Sequence, residues 1–240
     1  MSARIAFITR RALRAAALAC ACISASMPWT AAAQVGPTAS EAAAYTGLHA
    51  AAFGGNAAAI DKLAAAKADV NAQDPHGRTP LHVAVFARQR DAVRALAKAG
   101  ADLNRLENGR YDAVTIASVA GDEETLRVLL SLGASARQVT SRYDGTALIA
   151  AAHLGHDGIV RQLIAAGAPL DHVNNLHWTA VIEAIVLGDG GPRHQAVLKA
   201  LVDAGANLQL KDRQGNTPLQ LARSRGHAEM VRMLERAGAK

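Results

Sequence analysis

Nine histidines, one oddly placed glutamate and one glycine-rich turn are the residues of this 240-residue chain whose types and spacing could do chemistry. His153 and His156 stand three apart, with His172 in the following segment, which is the conceivable beginning of a metal site. Gly155 lies between the first two as a helix-ending residue, no carboxylate accompanies them at ligand spacing, and a structural zinc site wants four converging ligands. Glu183 occupies a position that is aliphatic elsewhere in the chain, so it must either lean into solvent or accept from a polar neighbour. Acid–base catalysis would need a second positioned group, and the sequence identifies none. Gly188 to His194 reads G-D-G-G-P-R-H and ends in two potential cations, as a phosphate cradle could. It lacks the G-K-[S/T] ending and follows no strand. An enlarged turn between two helices accounts for it better, with glycine for left-handed backbone and proline to open the next helix. No catalytic residue, metal site or cofactor is therefore expected. The remote alternative is a metal- or phosphate-dependent enzyme built on these same groups.

The elements that position these residues follow from an internal repeat. T-P-L-H at Thr79 returns as T-A-L-I at Thr146, T-A-V-I at Thr179 and T-P-L-Q at Thr217. Starting repeats at Thr46, Thr79, Asp112, Thr146, Thr179 and Thr217 gives steps of 33, 33, 34, 33 and 38 residues. Each starting residue carries a side-chain oxygen suited to an N-cap. Two residues on, every copy is aliphatic, and five on, every copy is alanine, from Ala51 to Ala222. A methyl group lets neighbouring helices stack closely, so that column marks the contact between repeats. Glycine follows at nine residues in all but the second repeat, where Arg88 stands, and is expected to end the first helix. A second helix then runs through two aliphatic columns three apart, Ile60 and Leu63 in the first copy, and stops at glycine-alanine in five of the six copies.

These columns closely resemble the ankyrin repeat. Asp74 to His82 (D-P-H-G-R-T-P-L-H) and Ala99 to Asn104 (A-G-A-D-L-N) are near the family pattern, as are Gly155-His156 and Gly226-His227. The resemblance covers residues 45–240 and implies an all-α repeat solenoid: six helix-turn-helix units with hairpin-like loops, stacked into a curved array. It also implies that His49 and His82 bond to nearby backbone. Asp112-Ala113-Val114-Thr115 in the third repeat and five inserted residues in the fifth depart from the pattern without removing its buried columns.

Six aromatic residues follow residue 33. Tyr45, Tyr111 and Trp178 immediately precede a cap, Tyr143 falls three before one, and Phe53 and Phe86 sit seven after, in a column continued by His153. In the family these positions border the concave face, and aromatic side chains are favoured interface anchors. The alternative is that they pack the base of each hairpin. The expected contact set comprises these six aromatics with Arg78, His153, Arg193 and His194. The function implied is non-enzymatic protein binding, with an inhibitor, immunity or enzyme-protecting role as the alternative.

Residues 1–33 read differently. Arg4, Arg10, Arg11 and Arg14 precede an apolar stretch too short to span a membrane comfortably, and Ala31-Ala32-Ala33 offers a small-residue cleavage site. A secretory signal peptide is expected there, followed by a flexible lead-in over 34–44 with a turn of helix at Glu41 to Ala44. A lipoprotein anchored through Cys20 is a minor alternative, and a twin-arginine signal is interrupted by Arg14. Cleavage after Ala33 would remove both cysteines and four of 26 basic residues but none of the 20 acidic ones, leaving 22 − 20 = +2. The alkaline pI of 9.7 thus argues for no nucleic-acid partner. A monomer in the periplasm, bound to another periplasmic or envelope protein, is expected.

Overall fold

The computed structural model describes residues 34–240, and the expected signal peptide and Cys20 lie outside them. A short helix α1 (Ala39–Ala44) precedes six helix pairs. The first helices of the pairs are α2 (Gly47–Phe53), α4 (Pro80–Phe86), α6 (Ala113–Val119), α8 (Ala147–His153), α10 (Ala180–Val186) and α12 (Pro218–Ser224). The second helices are α3 (Ala57–Ala65), α5 (Arg90–Lys98), α7 (Glu123–Ser131), α9 (Asp157–Ala165), α11 (Pro192–Asp203) and α13 (Ala228–Arg236). First helices pack on first helices and second on second, giving two parallel rows with no strand among the described residues.

The sequence columns become the core. All six alanines five residues after the cap are buried, because any larger side chain there would push adjacent first helices apart. Ile60, Val93, Leu126, Val160 and Leu198 fill the space between the rows. Thr79, Asp112, Thr146, Thr179 and Thr217 each accept from a first-turn backbone N–H, whereas Thr46 holds the cap position without a side-chain bond. Asp112 differs in charge: it is fully buried, one carboxylate oxygen caps Thr115 and the other meets no donor. Burial pushes its pKa up, against the lowering effect of the Thr115 bonds.

The turn glycine does more than end a helix. Gly121 and Gly155 take φ of 61° and 68°, and a Cβ on them would lie 3.2 and 3.1 Å from the rings of His156 and His194 in the next repeat. Each turn therefore receives a side chain from its neighbour. In the fifth repeat Leu187 caps the helix at the position that caps every first helix, but Gly190, not Gly188, takes the left-handed φ of 70°. The glycine-rich turn otherwise forms as expected, with Pro192 opening α11. Helix α11 is three residues longer than the other second helices, and this extension takes up part of the insertion.

Residues 34–44, expected as a loose lead-in with a turn of helix at Glu41 to Ala44, hold a capped helix that starts two residues earlier, at Ala39. Thr38 and Glu41 form a reciprocal capping box on α1, yet no residue of α1 is buried.

Candidate protein-binding face

Five fingers project between successive repeats, and each closes on itself through the backbone. Asp74 donates from N to Arg78 O at 3.0 Å, Glu107 to Tyr111 O at 3.0 Å, Asn174 to Trp178 O at 3.0 Å and Asp212 to Asn216 O at 3.0 Å. The third finger is one residue longer and closes by an isolated bridge between Thr140 and Gly145. Acidic or amide side chains at the finger base hold the turn: Asp74 Oδ1 accepts from His76 and Arg78 N–H, and Asn174 Oδ1 accepts from Leu176 and Trp178 N–H. Successive fingers are also tied to one another, by Asn108 N to His76 O at 3.0 Å, Ser141 N to Arg110 O at 2.8 Å and Asn175 N to Tyr143 O at 2.9 Å. The first four fingers form one backbone-bonded platform instead of separate loops, and the fifth joins it through Arg213 Nη2, which donates to Asn175 O at 2.8 Å.

On this platform Tyr111, Tyr143 and Trp178 are half-buried, each keeping part of its surface open. Arg142 lies over the Tyr143 ring at 5.2 Å and donates to its hydroxyl at 3.2 Å. Tyr45 stacks toward His49 at 5.3 Å and Phe53 at 6.5 Å between ring centres, and donates to Asp74 Oδ2 at 2.8 Å. Burial first, and then Asp74, pushes the Tyr45 phenol up. Phe53 is exposed at the end of α2, while Phe86 is half-buried at the end of α4.

Arg78 departs from the expectation of an open contact. It is 2% exposed, pairs with Asp74 at 2.7 Å and Glu41 at 3.2 Å, and donates to Val35 O at 3.3 Å. Burial opposes the charge of Asp74, but hydrogen bonds from Arg78 and Tyr45 outweigh it and hold its carboxyl below the usual range.

His153 is half-buried, with Nδ1 3.5 Å from Glu183 Oε2. Glu183 is 4% exposed; its Oε1 accepts from Asn174 Nδ2 at 3.1 Å, and its Oε2 has no hydrogen-bond donor. The buried glutamate therefore found a polar neighbour, and that neighbour is the base of the adjacent finger. His172 bonds to Asp144 O at 2.6 Å and His156 to Val119 O at 3.3 Å, so the three histidines are committed to different places. Among the described residues no three metal-ligating side chains converge.

Arg193 and His194 are spent on neighbouring repeats. Arg193 donates to Gly155 O at 3.3 Å and contacts His156 Nδ1 at 3.0 Å, while His194 links His153 O and Asp189 Oδ1, both at 2.9 Å. His82 has a fixed tautomer: Nδ1 accepts from Thr79 N–H, leaving Nε2–H to donate to Arg105 O at 2.9 Å. Burial lowers its pKa to about 4, so it is a neutral strut between repeats. His49 makes the equivalent bond to Arg78 O.

Residues 18–107 and 114–212 match the family model for ankyrin repeats in three copies, and residues 192–235 match a model for ankyrin repeats in many copies. The chain belongs to the ankyrin repeat family. The first match begins within the stretch expected to be a signal peptide. The ankyrin repeat protein YahD of Escherichia coli is 42% identical over 100 residues, 41% of this chain and 50% of YahD, so the aligned segment spans half of that relative. A solved ankyrin repeat domain from Acinetobacter baumannii is 44% identical, covering 80% of this chain and 98% of that one, with a TM-score of 0.76. A chain from the complex of the predatory endopeptidase Bd0816 of Bdellovibrio bacteriovorus with immunity protein Bd3460 is 25% identical, with a TM-score of 0.66 over 80% of this chain and 98% of that one. The ankyrin array is a protein-interaction module, and no helix among the described residues is long and apolar enough to cross a membrane.

Proposed function

We propose that this ankyrin array binds one protein partner in a bacterial cell envelope, through the face made by the first helices and fingers, with Tyr111, Tyr143 and Trp178 as its anchors. The observation that carries this is the pairing of half-buried aromatics with a finger platform bonded backbone to backbone. Rings held this way give large contact area without loop ordering on binding. Export rests on the basic, apolar and small-residue succession of residues 1–33. Relatives in Escherichia coli and Acinetobacter baumannii support a bacterial source. The array acts as a monomer and without catalysis; His49, His82, His156, His172 and His194 each bond to a backbone carbonyl of the stack. A second reading, protection against or inhibition of an enzyme, is favoured by the likeness to a chain of the endopeptidase–immunity complex.

The test is to express the full-length protein in a Gram-negative host, purify it from the periplasm and identify co-purifying proteins against a Trp178→Ala/Tyr111→Ala control. One abundant partner lost in the folded control supports the site and names the pathway. A partner retained unchanged by the folded control refutes the aromatic site, and a protein that stays in the cytoplasm refutes export.

A further inference from the structure

The surface around Arg78, His76 and Phe86 is already occupied by this chain's own residues 34–41. Val35 places its carbonyl on Arg78 Nη1 at 3.3 Å, and Gly36 passes so close to Phe86 that a Cβ there would lie 3.1 Å from the ring. Thr38 then starts α1, whose Glu41 reaches back to Arg78 Nη2 at 3.2 Å and His76 Nε2 at 2.5 Å. The segment helps to bury Arg78 and cover Phe86, yet α1 contributes no buried residue of its own. A six-residue helix is far below the length that holds itself in water, and ion pairs to an exposed carboxylate hold only weakly. Apart from Gly36 against Phe86, its hold on the first two repeats is thus polar and exchangeable, unlike the apolar packing of every later helix.

We infer that Arg78, His76 and Phe86 form a second protein-binding subsite, kept filled in cis by residues 34–41, and that a partner segment of the same chemistry displaces it. That chemistry is readable from the occupant: an extended stretch with a residue lacking a side chain against Phe86, a free carbonyl for Arg78, and a carboxylate five residues after the small residue to bridge Arg78 and His76. The subsite lies next to the finger that begins the aromatic platform, so an acidic segment seated there continues onto Tyr111. This inference rests on the protein-binding role proposed above. Its test uses a defined peptide, so its failure leaves the search for the natural partner untouched.

The probe is a fluorescent synthetic peptide of residues 34–45, titrated by anisotropy into the full-length processed protein and into a Thr38→Ala/Glu41→Ala variant whose capping box and ion pairs are gone. The expected result is binding to the variant at least tenfold tighter than to the wild type, lost when the peptide carries Glu41→Gln. Hydrogen exchange should show residues 39–44 of the variant unprotected while α4 stays protected. No binding to the folded variant, equal binding to both proteins, or equal binding of the glutamine peptide would each overturn the subsite. Persistent protection of residues 39–44 in the variant would overturn the exchangeable hold itself.

Discussion

Replacing Asp112 by threonine, the residue at the same position in the other five repeats, should stabilise the array at neutral pH. Asp112 is completely buried, its Oδ1 caps Thr115 at 2.7 Å, and its Oδ2 faces no donor. An unsatisfied buried polar atom costs about 1–3 kcal/mol. A negative charge at a helix N-terminus returns about 0.3–1 kcal/mol, and threonine caps only slightly less well than aspartate. The burial cost wins, as the raised pKa also indicates, and the net gain for Asp112→Thr should be about 1–2 kcal/mol. The pH dependence has a definite sign. Because the folded pKa is raised above the unfolded value, the penalty is fully present above the folded pKa and fades as pH falls through it toward the unfolded one. The advantage of the variant should accordingly be largest at pH 7 and shrink on acidification toward pH 4. Urea unfolding followed by circular dichroism at both pH values measures it, and exchange of the α6 amides localises it, since a repeat array need not unfold as one unit. A variant less stable than wild type at pH 7, or equally stabilised at both pH values, would refute this reasoning.

Asp74→Ala should cost about 3 kcal/mol, because it leaves the buried Arg78 charge with Glu41 as its remaining carboxylate partner and removes the acceptor of Tyr45 and two finger amides; chemical denaturation checks this. Since the Asp74 pKa is lowered on folding, its contribution should be present above the unfolded pKa and be lost as pH falls through the folded one. Gly155→Val should destabilise by about 2 kcal/mol, combining left-handed backbone with a clash against His194, and thermal unfolding would show whether it does. Asn174→Asp alone should be destabilising, since it sets two carboxylates face to face, whereas Asn174→Asp with Glu183→Leu should recover most of the loss; a double-mutant cycle would reveal a coupling of about 1–3 kcal/mol, and strict additivity would exclude it.

Columns that repeat along the chain were legible because each corresponds to one place in every repeat. The alanine contact, the aliphatic pairs and five of the six side-chain caps form as their spacing predicts, with Thr46 the exception. What sequence could not disclose is pairing between columns. Glu183 was visible as a misfit, but its partner Asn174 stands nine residues earlier in a finger, at the position where Asp74 and Asp212 carry the acid. The carboxylate has in effect moved from the finger to the helix, and only the contact shows it. His194 was similarly hidden by the insertion, since counting from the cap puts it five residues out of register with His156, although both bond to the preceding repeat. Arg78 looked available because its position precedes a cap, as Tyr111 and Trp178 do. Residues 34–41, a segment with no repeat column to predict where it lies, help to bury it.

The lengthened turn of the fifth repeat has a meaning for how such a chain can change. His194 still reaches His153 O, and Gly190 still meets the ring of His227, so the contacts on either side survive five additional residues. The addition is taken up by Asp189 to Gly191 and an earlier start to α11. The link between paired helices is a graft port, where foreign sequence can be spliced in to diversify the surface while the stack on both sides keeps its registration.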